Sequence, residues 1–178
     1  PVQRADQRAR ILFVLSPERT GADEDKNLFM ATKYGIVKQT HLKEYDSSRK
    51  NGLIAINLKE GDELIRVRMT DQEDQIIMGT KGGYAIRYDA KEVRPMKRTS
   101  QGVKGIDLRD GDYVIGMDVI EPDAQENTIL CISEKGYGKL TDISEYRQQK
   151  RGGKGVQTYK IAKKTGDLVG FCTADNDQ

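Results

Sequence analysis

The sequence predicts an all-β chain made of repeated four-stranded units, arranged like the blades of a propeller. Three similar segments, LFMATKYG, IIMGTKGG and LCISEKGY, place a glycine at a common position: Gly35, Gly83 and Gly136. Each segment is an apolar run with Thr or Ser three residues before the glycine, which is typical of a strand entering a hairpin turn. These glycines are 48 and 53 residues apart (83 − 35 and 136 − 83), close to the period of about 40–50 residues expected for a blade. The composition agrees, since 18 glycines and no tryptophan favour a turn-rich β protein.

The remaining strands of each unit follow in a fixed order. After the glycine comes a second strand-like run: IVKQT, YAIRY and YGKLT. A further glycine at 52, 102 or 155 opens a third run: LIAINL, VKGIDL and VQTYKI. A Gly-Asp turn then leads into a fourth: ELIRVRM, YVIGMDV and LVGFCTA. The predicted repeats span about 28–70, 76–120 and 128–173.

The repeats therefore predict one partial ring, which forms a single domain over residues 1–178. Residues 8–17, which include RILFVLS, are predicted to form the last strand of a preceding blade. A propeller typically needs at least four blades to close. We therefore expect an open arc, or a piece of a longer ring with strand edges for further blades to cover.

Strand alternation predicts which apolar side chains face inward. The expected core comprises Leu12, Val14, Leu28, Met30, Ile36, Ile54, Ile56, Leu64, Ile76, Met78, Ile86, Val103, Ile115, Ile129, Cys131, Val156, Ile161 and Val169. The two cysteines, Cys131 and Cys172, lie in apolar runs and are expected to be reduced core thiols.

Positive charge is concentrated rather than abundant. The net charge is only +2, but residues 136–164 carry eight Lys or Arg against two acids, 8 − 2 = +6. Fourteen and fifteen residues beyond each glycine lies a basic pair: Arg49-Lys50, Lys97-Arg98 and Lys150-Arg151. Basic residues in single loops are usually just solvated, whereas three pairs in one register predict a row of cations around the rim. Lys38, Arg87 and Lys139, in the second strands, are predicted to extend that row, and Arg147 and Lys154 lie beside its last pair.

Such a row fits a polyanion, and double-stranded DNA is the obvious one. The contacts would go to phosphates and would not read sequence. In the segment Gln149–Gly155, QKRGGKG, the glycines Gly152, Gly153 and Gly155 are predicted to let the backbone approach a phosphate. Consecutive N–H groups there would form an anion-binding nest, with Lys150, Arg151 and Lys154 adding charge.

No catalytic constellation accompanies these residues. A glutamate recurs nine residues after each glycine, at Glu44, Glu92 and Glu145, but no second acid, histidine or metal-ligand spacing recurs with it. We expect these glutamates to cap or brace the loops rather than to catalyse. No cofactor or metal site is predicted in the domain. No apolar run approaches 18 residues and no signal peptide is present, so a soluble, intracellular protein is expected.

The segment QKRGGKG matches the seven-residue box Q-[RK]-R-G-G-[RK]-G, and its flanks LFMATKYGIVKQT, RPMKRTSQGVKGI and GYGKLTDISEYR also resemble one family. The chain is similar over nearly its whole length to the C-terminal domain of bacterial DNA gyrase A. The resemblance implies a β-pinwheel, in which neighbouring blades exchange a strand, usually with six blades. It implies a domain that wraps DNA around its basic rim, so that an ATP-dependent type II topoisomerase introduces negative supercoils.

The same resemblance implies partners and cofactors elsewhere. Gyrase B would join the parent in an A2B2 heterotetramer. ATP, Mg²⁺ and the DNA-cleaving tyrosine would belong to other parts of a cytoplasmic, nucleoid-associated bacterial enzyme. In the family the box usually lies in the first blade, whereas here it lies in the last repeat, so it is either the principal wrapping element or a second copy. Two alternatives stay open: the matching component of topoisomerase IV, with a related pinwheel, and a propeller that binds proteins on a face or in its channel.

Overall fold

A computed structural model of the chain describes residues 8–11, 25–45, 53–124 and 128–174. The strands are β1 (Arg8–Ile11), β2 (Asn27–Thr32), β3 (Ile36–His41), β4 (Leu53–Asn57), β5 (Leu64–Thr70), β6 (Gln75–Thr80), β7 (Tyr84–Asp89), β8 (Val103–Lys104), β9 (Val114–Ile120), β10 (Thr128–Ser133), β11 (Gly138–Asp142), β12 (Val156–Gln157) and β13 (Leu168–Ala174). Three short 3₁₀ helices, Leu42–Tyr45, Ala90–Glu92 and Ile143–Glu145, follow the second strand of each repeat. The predicted all-β class is confirmed.

Neighbouring repeats exchange a strand. The first blade is a four-stranded antiparallel sheet in the order β5-β2-β3-β8, and the second has the order β12-β7-β6-β9. In each sheet the hairpin and the fourth strand come from one repeat, while the short third strand comes from the following repeat. The third blade, β11-β10-β13, has the hairpin and fourth strand of the last repeat. This exchange is the pinwheel arrangement that the resemblance implied.

Strand β1 takes a different place from the one predicted for it. Arg8–Ile11 pairs with β4, and the counterparts of β4, namely β8 and β12, pair with the second hairpin strands β3 and β7. Strand β1 therefore occupies the position of a second hairpin strand. A fourth strand would instead pair with a first hairpin strand, as β5 pairs with β2. The pairing satisfies the backbone groups along one edge of β4. Residues 12–17 of the predicted strand lie outside the described residues.

The hairpin turns are built as the repeated glycines predicted. Gly35, Gly83 and Gly136 have φ of 80°, 85° and 80°, a left-handed conformation that glycine adopts without steric cost. The hydroxyl three residues earlier accepts a hydrogen bond from the residue after the glycine. Thr32 Oγ1 accepts the N–H of Ile36 at 3.2 Å, and the same bond recurs in the other two turns. The recurrent Thr or Ser thus closes the turn.

The core lies between blades, so most sheet faces are covered on both sides. Every residue of β2 is buried, because one face packs on β4 and the other on the second blade. Ile76, Met78 and Tyr88 pack with Phe29 of the first blade, and Ile77 packs with Phe171 of the third. Leu12 and Val14 lie outside the described part of the chain. Val169 is 56% exposed, so its assignment to the core is wrong; it lies on the face of the third blade that points away from the second.

The fourth strands hold neighbouring blades together. Strand β9 contacts both β5 and β13, which places the fourth strands at the side where the blades converge. Phe171 of β13 packs where a Cβ on Gly79 or Gly116 would collide with it. Asp118 accepts a 3.1 Å bond from Arg68 Nε in β5 and bonds from the N–H and hydroxyl of Thr173 in β13. The exchanged strands β8 and β12 lie at the opposite, outer edge of their sheets.

Candidate nucleic-acid interface

The basic loops of the second and third repeats follow the same path along the outer edge. Met96 N donates to Gln39 O at 2.7 Å, and Gln149 N donates to Arg87 O at 2.8 Å. The next residue of each loop is the lysine of its basic pair. Residues 97 and 150 therefore occupy equivalent positions on successive blades, one on the edge of β3 and the other on the edge of β7. The predicted common register holds for these two pairs.

The arginines of these pairs point into the protein. Arg98 Nη1 donates to Ile54 O of β4 at 2.7 Å, and Arg151 Nη1 donates to Lys104 O of β8 at 2.5 Å. Both carbonyls belong to the exchanged strand of the preceding repeat, one residue after its start. Both arginines are half-buried. Each guanidinium thus fixes its loop to the outer strand, and less of it remains available to a ligand.

Two of the three recurrent glutamates, Glu44 and Glu92, brace these loops, as predicted. Glu92 Oε2 accepts the N–H of Arg151 at 2.8 Å, and the Glu44 carboxylate forms an ion pair with Lys97 Nζ at 3.1 Å. The Lys97 hydrogen bond, aided by the backbone of Arg98, lowers the pKa of Glu44. Glu145, in the last repeat, is exposed.

The lysines of the pairs point outward. Lys97 has 83% of its side chain exposed, and Lys150, Lys154 and Arg147 are exposed as well. Within the described part of the chain, no carboxylate lies within ion-pair distance of Lys150. Lys104 of β8 is also exposed beside the box and pairs with Asp107 at 3.1 Å. Sequence analysis missed Lys104, although its place at the start of a third strand could have indicated an outer-edge position.

Two of the second-strand cations do not extend the row, which corrects the prediction. Lys38 is fully buried, and its Nζ donates to Ala55 O at 2.5 Å and to Arg98 O. Arg87 is 9% exposed and donates to Ile143 O, in the next 3₁₀ helix, and to Tyr146 O, directly after that helix. Only Lys139 is exposed, and it donates to Thr158 O at 3.0 Å. The buried cations satisfy carbonyls between repeats and cannot contact a phosphate without unfolding.

The strand register explains why these three positions differ. Lys38 pairs with Met30 and Lys139 with Cys131, whereas Arg87 pairs with Ile77, one residue further along the sheet. Arg87 therefore lies on the opposite face, at the position of Gln39, which also donates to the next 3₁₀ helix through Val93 O. A shift of one residue changes the face of a strand.

The glycines of the box serve the fold rather than an anion nest. The N–H groups of Arg151 and Gly152 already bond to Glu92 and to Gly105 O, so a carboxylate of the protein takes the place predicted for a phosphate. Gly152 and Gly155 have φ of 80° and 73°, and a Cβ on Gly155 would collide with Ala85 O. At Gly153 a Cβ would meet nothing closer than 3.5 Å. The nest prediction is therefore wrong for residues 151 and 152.

A cluster of acidic residues lies at one end of the sheets. The loops at the end of the sheets opposite the hairpin turns carry five acids: Asp71, Glu73, Asp74, Glu121 and Asp123. With Lys26 they line a cavity of about 440 Å³. Burial raises the pKa of Asp74. Carboxylates gathered in this way make the local potential negative.

Two of the predicted rim cations lie outside the described residues. Arg49 and Lys50 fall in 46–52, which the structure does not describe, so their place relative to Lys97 and Lys150 stays a prediction.

Over the described ranges, no group of three or more His, Cys, Asp or Glu could hold a metal ion. No helix there is long and apolar enough to cross a membrane. Cys131 and Cys172 are free, the first buried and the second half-buried.

Comparison with known proteins assigns the arrangement of blades and basic loops to a family. The model of the DNA gyrase C-terminal domain, a β-propeller, matches residues 26–71, 74–121 and 127–171. DNA gyrase A of Staphylococcus epidermidis is 45% identical over 155 residues, which is 87% of this chain and 17% of that protein. The chain belongs to the DNA gyrase C-terminal domain family. It spans about a sixth of the length of the curated relatives it matches.

Solved structures agree on the fold. The C-terminal domain of DNA topoisomerase IV matches with a TM-score of 0.80 and 28% identity, covering 85% of this chain and 47% of that one. The DNA gyrase A C-terminal domain matches with a TM-score of 0.75 and 28% identity, covering 85% and 50%. The two structures are equally identical to the chain in sequence. The sequence relatives from DNA gyrase therefore carry the distinction between the two enzymes.

Proposed function

We propose that this chain binds double-stranded DNA through phosphate contacts along its outer edge and bends the duplex around the arc of blades. The observation that carries the proposal is the repeated outward lysine, Lys97 and Lys150, at the same position of successive blades. A curved row of equally spaced cations fits the backbone of a bent duplex. Because the contacts go to phosphates, affinity depends on salt and not on base sequence.

In each of these basic loops, the arginine and the lysine of the pair have different roles. Arg98 and Arg151 tie the loop to the exchanged strand of the preceding repeat, and Glu44 and Glu92 hold the loop backbone. The neighbouring lysine is thereby presented from a fixed backbone, at a smaller entropic cost of ordering than in a mobile loop. Lys139, Arg147 and Lys154 add exposed charge near the third-repeat loop. In the first repeat the basic pair would be supplied by Arg49 and Lys50, which stand in the reverse order.

Bending a duplex is expensive, so several blades must act together. Smooth bending of a 20–30 bp site by 40–90° costs on the order of 1–6 kcal/mol, which a single lysine contact does not offset. Repetition of the contact around the arc supplies the required sum. The acidic loops at 71–74 and 121–123 would keep the duplex off the opposite end of the arc.

In the parent protein, this domain would wrap DNA so that a type II topoisomerase introduces negative supercoils. The fragment itself would perform no chemistry. Gyrase B would be the partner in an A2B2 assembly, and ATP and Mg²⁺ would be used elsewhere in it, in the bacterial cytoplasm beside the nucleoid. A role in topoisomerase IV is the second candidate, favoured by the TM-score of 0.80 to that enzyme's domain.

The different roles of Lys150 and Arg151 are tested by two single substitutions in the 178-residue chain. Lys150→Gln should leave thermal stability unchanged and reduce the slope of log affinity against log salt by about 0.9, one phosphate contact. Arg151→Gln should lower the melting temperature, because it leaves Lys104 O and Glu92 O without their donor. Lys43→Gln, on the 3₁₀ helix at the acidic end, is the matched charge control and should leave the slope unchanged. An unchanged slope for Lys150→Gln would contradict the proposed contact.

Bending needs its own measurement. The chain is incubated with relaxed circular DNA and a nicking-closing enzyme, and the linking number is then read on a gel. A change in linking number supports wrapping. DNA binding without a change in linking number would mean that the duplex is not wrapped around the blades. That result would contradict the proposed wrapping but not the proposed DNA binding.

A further inference from the structure

The third repeat differs from the other two at the tip of its Gly-Asp turn. The glycine before the third strand and the glycine of the Gly-Asp turn are nine positions apart in the first two repeats (61 − 52 and 111 − 102) but eleven apart in the last (166 − 155). The first two tips carry a basic and an acidic residue, Lys59-Glu60 and Arg109-Asp110. The last tip reads AKKT, residues 162–165, and has no acid. Its charge is therefore +2, whereas the charge of the other two tips is zero.

The longer tip is an ordered turn. Thr165 N donates to Ala162 O at 3.0 Å, and Gly166 N donates to the same carbonyl at 2.9 Å. Thr165 Oγ1 accepts the N–H of Ala162 at 3.1 Å. Lys135 N donates to Thr165 O at 3.1 Å, which fixes the turn to the hairpin of the third blade. The backbone that carries Lys163 and Lys164 is thus held at both ends.

Four lysines converge on this end of the third blade. Lys135, Lys160, Lys163 and Lys164 are all exposed. Lys135 Nζ donates to Lys163 O, and Lys164 Nζ lies 5.2 Å from the centre of the Tyr137 ring, which is 41% exposed. Two acids are close, but they serve other partners. Asp167 pairs with Lys81 at 3.2 Å, and Glu134 Oε2 accepts the N–H of Asp167 at 3.0 Å.

These lysines continue the basic outer edge. The chain runs from Lys154 at the edge, through β12 and Lys160, to the tip at Lys163. Thr158 N and Tyr159 N donate to Gly83 O on the way, so the path crosses the hairpin-turn end of the second blade. The four lysines outnumber the two nearby acids, and Asp167 is already paired with Lys81, so the local potential is positive and attracts a polyanion. In the first two repeats the equivalent path ends on a tip of zero charge.

We propose that the Ala162–Thr165 turn is a second phosphate-binding surface, which takes the DNA backbone from the outer edge onto the hairpin-turn end of the third blade. This inference rests on the proposed DNA binding. It adds that the duplex does not follow the outer edge alone: at the last repeat it also contacts a surface that the other two repeats do not offer.

The test uses duplex DNA and the 178-residue chain carrying Lys163→Gln and Lys164→Gln together. The slope of log affinity against log salt should fall by about 0.9 for each phosphate contact removed, up to about 1.8. Lys59→Gln, at the corresponding tip of the first repeat, is the matched control and should change nothing. A second variant replaces Ala162–Thr165 with Arg-Asp, the tip of the second repeat, and should give the same decrease.

The outcomes separate the two proposals. If Lys150→Gln reduces the slope and the double tip variant does not, the tip surface is wrong and the outer-edge proposal stands. If the unmodified chain shows no salt-dependent binding to duplex DNA, the proposed function itself fails. Lys59→Gln removes one charge and the tip variants remove two, so if Lys59→Gln reduces the slope by half as much as they do, the effect is one of net charge and the tip surface is overturned.

Discussion

Adjacent lysine and arginine side chains in the basic loops have opposite environments. Lys150 is exposed, while Arg151, the next residue, donates to two backbone carbonyls. The guanidinium suits this structural role, since its planar fork can satisfy two acceptors at once. In each of these basic pairs, one residue carries a surface charge and the other fixes the loop to the protein. Counting charges in the sequence cannot tell the two roles apart.

Lys38 provides a pH-dependent test at the residue scale. Burial lowers its pKa to about 8 from 10.5, with the charge of Arg98 acting in the same direction. Since the folded pKa is the lower one, the unfolded chain binds more protons between the two values, and stability should rise with pH across that window. We expect the free energy of unfolding to increase by about 2 kcal/mol from about pH 7 to about pH 9.5, relative to Lys38→Met.

Chemical denaturation of both proteins at matched pH values measures this difference. Groups away from Lys38, such as Tyr146, whose pKa is raised by burial, titrate in both proteins and cancel in the comparison. Lys38→Met should also be less stable at the alkaline end of the range, because Arg98 O loses its donor. Parallel pH profiles would show that the ammonium group of Lys38 is not buried in solution.

At the scale of the element, the box loop is shaped by the strands on which it lies. Gly155 needs a positive φ and would carry its Cβ into Ala85 O. Gly153 has room, and its counterpart in the second repeat is Ser100, whose carbonyl accepts Asn57 N as Gly153 O accepts Asp107 N. The glycines of a single motif therefore obey different constraints.

This contrast predicts unequal effects of two substitutions. Gly155→Ala should lower the free energy of unfolding by about 1–3 kcal/mol, from backbone strain and collision with β7. Gly153→Ser should change it by no more than about 0.5 kcal/mol and should leave DNA affinity unchanged. Denaturation midpoints and a binding isotherm suffice for both. A large decrease in affinity in stable Gly153→Ser would restore the view that the bare backbone approaches a phosphate there.

The strands and hairpins were the most predictable elements. Their alternation, the recurrent glycine and the hydroxyl three residues before it are local signals, and the structure has each hairpin where the sequence predicted it. The exchange of the third strand was expected only from the family resemblance. The segments VKGID and VQTYK contain no local signal that indicates which blade the third strand joins. The place of Arg8–Ile11 was missed for the same reason.

At the scale of the whole molecule, the blades depend on one another through their fourth strands. Asp118 joins three of them, since Arg68 and Thr173 bond to its two oxygens. In repeat architectures stability is approximately a sum of unit and neighbour terms, so the buried Asp118, which is shared by three units, should contribute to two neighbour terms at once.

Asp118→Ala should therefore lower the free energy of unfolding by about 2 kcal/mol, because it removes an ion pair and two hydrogen bonds and leaves Thr173 N without its acceptor. Asp118→Asn keeps an acceptor for Thr173 and should cost less. Urea denaturation followed by circular dichroism measures both variants. Equal stability of Asp118→Ala and the unmodified chain would mean that the fourth strands are held by Phe171 and its apolar neighbours alone.

The sequence by itself determined the all-β class, the three hairpins, the basic loops of the second and third repeats and the bracing role of Glu44 and Glu92, because each of these depends on residues close in the chain or on a repeated spacing. Tertiary structure decided which cations face solvent. Lys38, Arg87, Arg98 and Arg151 point inward and donate to backbone carbonyls, most of which belong to a neighbouring repeat. The carbonyls that Arg98 and Arg151 reach include Ile54 O and Lys104 O on the exchanged strands β4 and β8. Lys97 and Lys150 lie outside because the same contacts turn them away from the sheet.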